Sequence, residues 1–112
     1  MRGPLSLGVG GTTRPGSSTE RALQVSLRAV EARGGRTRLL GGEFLATLPI
    51  YNPAAEEPTP AQAELAEAVR TADGVIIATP GYHGSLSGVI KNAMDTLELL
   101  RADVRPYFTD RA

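Results

Sequence analysis

Thr79-Pro80-Gly81-Tyr82-His83-Gly84-Ser85-Leu86-Ser87-Gly88-Val89-Ile90-Lys91-Asn92-Ala93-Met94-Asp95 follows directly on the apolar run Val75-Ile76-Ile77-Ala78. An unbroken apolar run closed by turn residues reads as a strand covered on both faces, the habit of a parallel sheet. Beyond the loop, Ile90, Ala93, Met94, Leu97 and Leu100 recur at helical spacing and predict a helix from residue 87 or 88 to 101. The Gly-, Ser- and Pro-rich stretch between them is a loop at the carboxyl end of a buried strand. Open α/β sheets bind their ligands there.

Working back towards the amino terminus, residues 5–9 are short and apolar and read as a first strand. Gly10-Gly11-Thr12-Thr13-Arg14-Pro15-Gly16-Ser17-Ser18-Thr19 follows as a second loop of the same kind. Ser17 and Glu20 stand at capping-box spacing, and Ala22, Leu23, Val25, Leu27, Ala29 and Val30 give the helix behind them a broad apolar face. Gly34-Gly35 ends it. Residues 36–40 read as a second strand near an edge, because Arg36 and Arg38 are costly where both faces are buried. Residues 41–59 read as loop, punctuated by Pro49, Pro53 and Pro58. Thr59 fits an N-cap, Pro60 the first helical turn and Gln62 a second capping box, with Ala61, Leu65, Val69 and Ala72 on one face. Asp73-Gly74 stops that helix before the third strand, residues 75–79. The order β-α-β-α-β-α predicts a parallel sheet with right-handed crossovers; with its strands in the order 2-1-3, strand one is central and both loops leave beside each other.

A chain of 112 residues allows one domain, expected over 1–112, and 41% hydrophobic content is enough for a modest core. Net charge is zero, which gives no reason to expect a nucleic-acid partner. There is no cysteine, so disulfides and thiolate chemistry are excluded, and one histidine without a carboxylate cluster predicts no metal site. No apolar run is long enough for a bilayer, and the stretch from Met1 to Leu7 lacks a signal-peptide core, so a soluble cytoplasmic protein is expected. Of the 12 basic residues only Lys91 is a lysine.

The first loop suits an anion. Gly10, Gly11 and Gly16 let backbone N–H groups turn inward, Thr12, Ser17 and Thr19 carry hydroxyls, Arg14 carries a charged fork, and a helix begins near Ser17. The same residues also fit a Gly/Ser-rich turn with an ordinary N-cap. A P-loop is excluded because the only lysine lies far from any such loop. The dinucleotide fingerprint fails at its third glycine, where Thr13 stands. In the second loop Tyr82 fits either a flat ligand ring or the rim of the sheet. His83 fits an exposed polar residue better than a general base. Lys91, Asn92 and Asp95 fit a solvated helix face.

Together these segments resemble the NAD(P)H-dependent FMN reductases of the flavodoxin-like superfamily. Gly11, Thr12, Arg14, Ser17 and Thr19 take the places of the family's first loop. Pro80, Tyr82, His83, Gly84, Ser85, Gly88, Lys91, Asn92, Ala93 and Asp95 match its second signature, and the stretch from Leu48 to Pro53 looks like the one after its second strand. The resemblance implies a three-layer, flavodoxin-like α/β domain. It places the FMN phosphate on Thr12, Arg14, Ser17, Ser18 and Thr19, and borders the flavin ring with Pro80, Gly81, Tyr82, His83, Gly84 and Ser85. It implies hydride transfer from NADPH or NADH to flavin and on to a small acceptor such as flavin or a quinone. No catalytic acid, base or metal is required, and a homodimer or tetramer is implied. Lys91 and Asp95 would lie near the subunit interface.

Three residues depart from the pattern: Thr12 stands for serine, Gly81 for glutamate and Thr96 for an aromatic that tends to pack at the dimer contact. The likeness covers the front part of the family's domain, up to its third β-α unit. Two further units of about 30 residues each would complete a five-strand sheet. The expectation is a fragment or truncated gene product, with the third strand carrying an open apolar edge. The alternative to an enzyme is a non-catalytic module that binds FMN weakly or serves in association.

Overall fold

The computed structural model describes residues 3–112; Met1 and Arg2, which open both the expected domain and the amino terminus read for a leader, lie outside the described residues. Strand β1 runs Leu5–Gly10, helix α1 Ser18–Ala32, strand β2 Arg36–Leu40, helix α2 Gly42–Leu45, helix α3 Pro60–Thr71, strand β3 Gly74–Ala78 and helix α4 Gly88–Thr96. Single turns of 3-10 helix cover Tyr82–Gly84 and Leu97–Leu100. The three strands are parallel in the order β2-β1-β3, a flavodoxin-like α/β arrangement.

Alternation along the central strand builds the layers. Leu7 and Val9 point to the face covered by α3 and α4, where Leu65, Val69, Ile90, Ala93, Leu97 and Leu100 close over them. Each fully buried leucine or isoleucine there contributes about 1.5–3 kcal/mol. Gly8 points to the other face, where Leu23 and Leu27 of α1 press against it. β2 lies at one edge of the sheet with Arg36 and Arg38 exposed, and Arg38 reaches Glu64 of α3 at 3.0 Å. The second capping box is complete: Gln62 N–H donates to Thr59 Oγ1 at 3.2 Å, and Thr59 N–H donates to Gln62 Oε1 at 2.9 Å.

Several sequence expectations shift. The apolar face of α1 is narrower than its composition suggests: Leu23 and Leu27 are buried and Val30 partly so, while Ala22, Val25 and Ala29 are exposed. A helix lying on a small sheet turns only one stripe inward. The stretch after β2 is not all loop, because α2 occupies Gly42–Leu45 and buries Leu45 in the core. The last helix ends at Thr96 and tightens into the 3-10 turn that carries Leu97 and Leu100 inward.

The outer edge of β3 is covered at its amino end. Ala112 N–H donates to the Asp73 carbonyl at 3.0 Å and Val75 N–H to the Ala112 carbonyl at 2.7 Å, the bond pattern of a parallel bridge beside Gly74. Arg111 fastens this segment. Its buried guanidinium donates to the carbonyls of Arg105 and Tyr107 at 2.9 Å and of Arg70 at 3.1 Å. Burial and the neighbouring Arg105 charge hold the Arg111 pKa below the usual guanidinium value. Farther along the edge, Ile77 stays 40% exposed.

Candidate functional site

Strand register decides where the two loops stand. Val9 pairs with Ile77 and Gly10 with Ala78, so the chain leaves β1 and β3 at the same level of the same rim. Gly11 N–H continues the pairing one step into the first loop, donating to the Ala78 carbonyl at 3.2 Å. A side chain at Gly10 would collide with that carbonyl, so this seam requires glycine. Neighbouring strands lie about 4.8 Å apart. The two loops therefore rise side by side.

In the first loop Thr12 makes a local turn, its Oγ1 accepting from Arg14 N–H at 3.1 Å. Ser17 is buried as the N-cap of α1, its Oγ accepting from Glu20 N–H at 3.2 Å. The expected nest of glycine amides is redistributed. Gly11 N–H goes to Ala78, and Gly16 N–H goes to the Glu20 carboxylate at 3.3 Å. The amides of Thr12, Thr13, Ser17, Ser18 and Thr19 find no acceptor among the described residues, and those of Ser18 and Thr19 lie in the first turn of α1. The helix dipole adds its positive end there. Arg14 is exposed and forms no ion pair among the described residues. A helix start, free amides and a guanidinium fork are donor groups that could hold a terminal phosphate or a similar anion.

In the second loop the ends are tied and the middle is bare. Thr79 Oγ1 accepts from Ser87 N–H at 2.9 Å and donates to the Pro80 carbonyl at 2.9 Å. Ser87 in turn caps α4, accepting from Ile90 N–H at 3.3 Å. Between these ties residues 81–86 are all exposed. Tyr82 is 57% exposed and does not fill the rim, so its ring is free to lie against a flat ligand. His83 sits at φ 52°, in the left-handed region, followed by Gly84 at φ 76°. No described carboxylate orients its ring, as a general base would need.

Asn92 departs from its expectation. It is no solvated surface residue: its Oδ1 accepts from Tyr51 N–H and its Nδ2 donates to the Pro49 carbonyl, both at 2.8 Å. The amide thus clamps the segment after α2 to α4. Lys91 and Asp95, one helical turn apart, pair with each other on the surface. Thr96 is fully buried inside this chain, its Oγ1 donating to the Asn92 carbonyl at 2.8 Å, so position 96 does not face an outside partner. Sequence reasoning missed three residues that shape the loops, namely Glu20, Thr79 and Asn92. Only Glu20 had a local signal, the capping-box spacing.

An apolar recess of about 440 Å³ borders the first loop, lined by Thr13, Leu45, Leu48, Ile50, Val89 and Asn92. A cleft of about 450 Å³ lies at the other end of the sheet, beside Arg70, Asp103, Arg105 and Arg111. Asp103 and Glu67 hydrogen-bond Arg70 and raise its pKa, while the terminal nitrogens of Arg111 donate to backbone carbonyls. Among the described residues no cluster of histidine and carboxylates could hold a metal ion, and no helix is long and apolar enough to cross a membrane.

A family model described as NADPH-dependent FMN reductase matches residues 5–111. An NAD(P)H-dependent FMN reductase of Pseudomonas aeruginosa is 37% identical over 92 residues, which are 80% of this chain and 47% of that protein. A quinone reductase of Escherichia coli (strain K12) is 48% identical over 59 residues, 50% of this chain and 31% of that protein. Among solved structures, the flavoenzyme NAD(P)H:(acceptor) oxidoreductase FerB from Paracoccus denitrificans aligns with TM-score 0.68 and 26% identity over 96% of this chain and 54% of that one. The chain thus spans between 31% and 47% of the length of these two curated relatives.

Proposed function

The chain belongs to the NADPH-dependent FMN reductase family, and from that premise we propose that its paired rim loops bind FMN and support hydride transfer from NADPH or NADH to a small acceptor. The observation that carries this reading is the register of Gly10 against Ala78, which sets an anion-seeking helix start beside a loop with an exposed ring. The donor set fits the group. Ser18 and Thr19 amides with the Arg14 fork suit a phosphate, Thr12, Ser17 and Thr19 add hydroxyls, and Pro80, Gly81, Tyr82, His83, Gly84 and Ser85 offer backbone and ring to a planar tricycle. Bound FMN supplies the redox chemistry, accepting hydride from the nicotinamide and delivering electrons onward.

The residues of this chain bind and orient. Thr79 and Ser87 hold the ring loop at both ends, and Asn92 holds the neighbouring wall. No side chain is asked to move a proton. The quinone reductase and the FMN reductase among the relatives support a small-molecule acceptor such as a quinone or flavin. The apolar recess with Ile50 at its lip, 87% exposed, favours a homo-oligomer.

The exposed Ile77 edge favours a second reading, an association module that holds FMN without turnover. Purified protein saturated with FMN, mixed with NADPH or NADH and a quinone, separates the two. Oxidation of the nicotinamide in proportion to protein supports the enzyme. Flavin retained without oxidation supports the module, and no flavin uptake overturns both.

A further inference from the structure

The carboxylate of Glu20 is buried at the back of the first loop, and no ion pair compensates it among the described residues. A buried carboxylate persists only where hydrogen bonds replace its water. Here two backbone donors do so, from two separate segments. Gly16 N–H reaches Oε2 at 3.3 Å, and Gly42 N–H reaches Oε1 at 2.8 Å. In a simple capping box this side chain would return to the N–H of its own cap residue. Instead it spans from the first loop to the start of α2. The fit around it is close. A side chain at Gly41 would strike Oε1, and one at Gly42 would strike the Thr12 carbonyl.

The arrangement settles a conflict of charge. A carboxylate in the first turn of a helix and an anion at the same helix start compete for the same amides. Glu20 turns its oxygens inward to Gly16 and Gly42, so the Ser18 and Thr19 amides stay available on the open side. We propose that Glu20 is the positioning residue of the anion loop: by bridging Gly16 and Gly42 it fixes the loop's shape, and with it the affinity for the phosphate end of FMN rather than for its ring. This rests on the flavin reading above.

Comparing FMN with riboflavin, which lacks the phosphate, isolates that end. Glu20→Asp keeps the charge and suits the first helical turn, but is one methylene too short to serve both donors. The dissociation constant for FMN is expected to rise by about tenfold, with that for riboflavin staying within about twofold. Glu20→Gln, which keeps the length and one acceptor oxygen, is expected to weaken FMN by a smaller factor, about threefold, again sparing riboflavin. It decides the matter if the aspartate variant melts before it can be titrated. Unchanged FMN affinity in both variants, or equal losses for FMN and riboflavin, overturns the proposal while leaving the flavin reading intact. A wild-type chain that takes up neither ligand overturns both.

Discussion

Arg14 is the one cation in the first loop, and it pairs with no carboxylate among the described residues. Arg14→Ala is expected to cost FMN binding one charge-assisted contact, about 1.5–3 kcal/mol, and to leave riboflavin binding unchanged. A fluorescence titration with both ligands checks this, and equal losses for the two would place Arg14 at the ring instead. At this scale the sequence revealed what depends on short spacings. Ser17 and Thr59 were legible as caps because a hydroxyl three residues before an amide in the first turn reaches it whatever the rest of the fold does. The acceptor side of Glu20 was not legible. Its tighter partner, Gly42, is a neighbour only after β2 has been laid against β1.

Elements show the same division. α3 and the three strands were readable from periodicity and punctuation, whereas α2 was hidden. Gly41 and Gly42 look like a break, and a helix of 4 residues is too short to declare a period. The clamp between α4 and the segment after α2 was hidden for another reason: an asparagine on a helix gives no sign that its amide will meet a backbone 41 residues away. That clamp is measurable. Asn92→Ala leaves the Tyr51 N–H and the Pro49 carbonyl without their partners, and is expected to lower unfolding free energy by about 1–3 kcal/mol in urea. Amide exchange at Tyr51 should quicken by more than at Leu65, which lies in the core. Unchanged stability and unchanged exchange would show that the wall beside the ring loop stands without Asn92.

For the molecule as a whole, the alternation of strands and helices was enough to predict a parallel sheet with right-handed crossovers, while the 2-1-3 order that the structure has came from the flavodoxin-like resemblance. The sequence predicted an open apolar edge on β3, and the structure has it only in part. That edge meets Ala112 at Gly74 and lies bare at Ile77. The account as a whole stands on the two loops acting as one site across the β1–β3 seam. Titrating FMN into isotopically labelled protein and following the backbone amides tests it most directly. Ser18 and Thr19 should shift together with residues 81–85 along one binding curve, while Gly34, Arg70 and Asp103 at the opposite rim stay still. Shifts confined to that opposite rim, or the two loops responding with different affinities, would contradict the account.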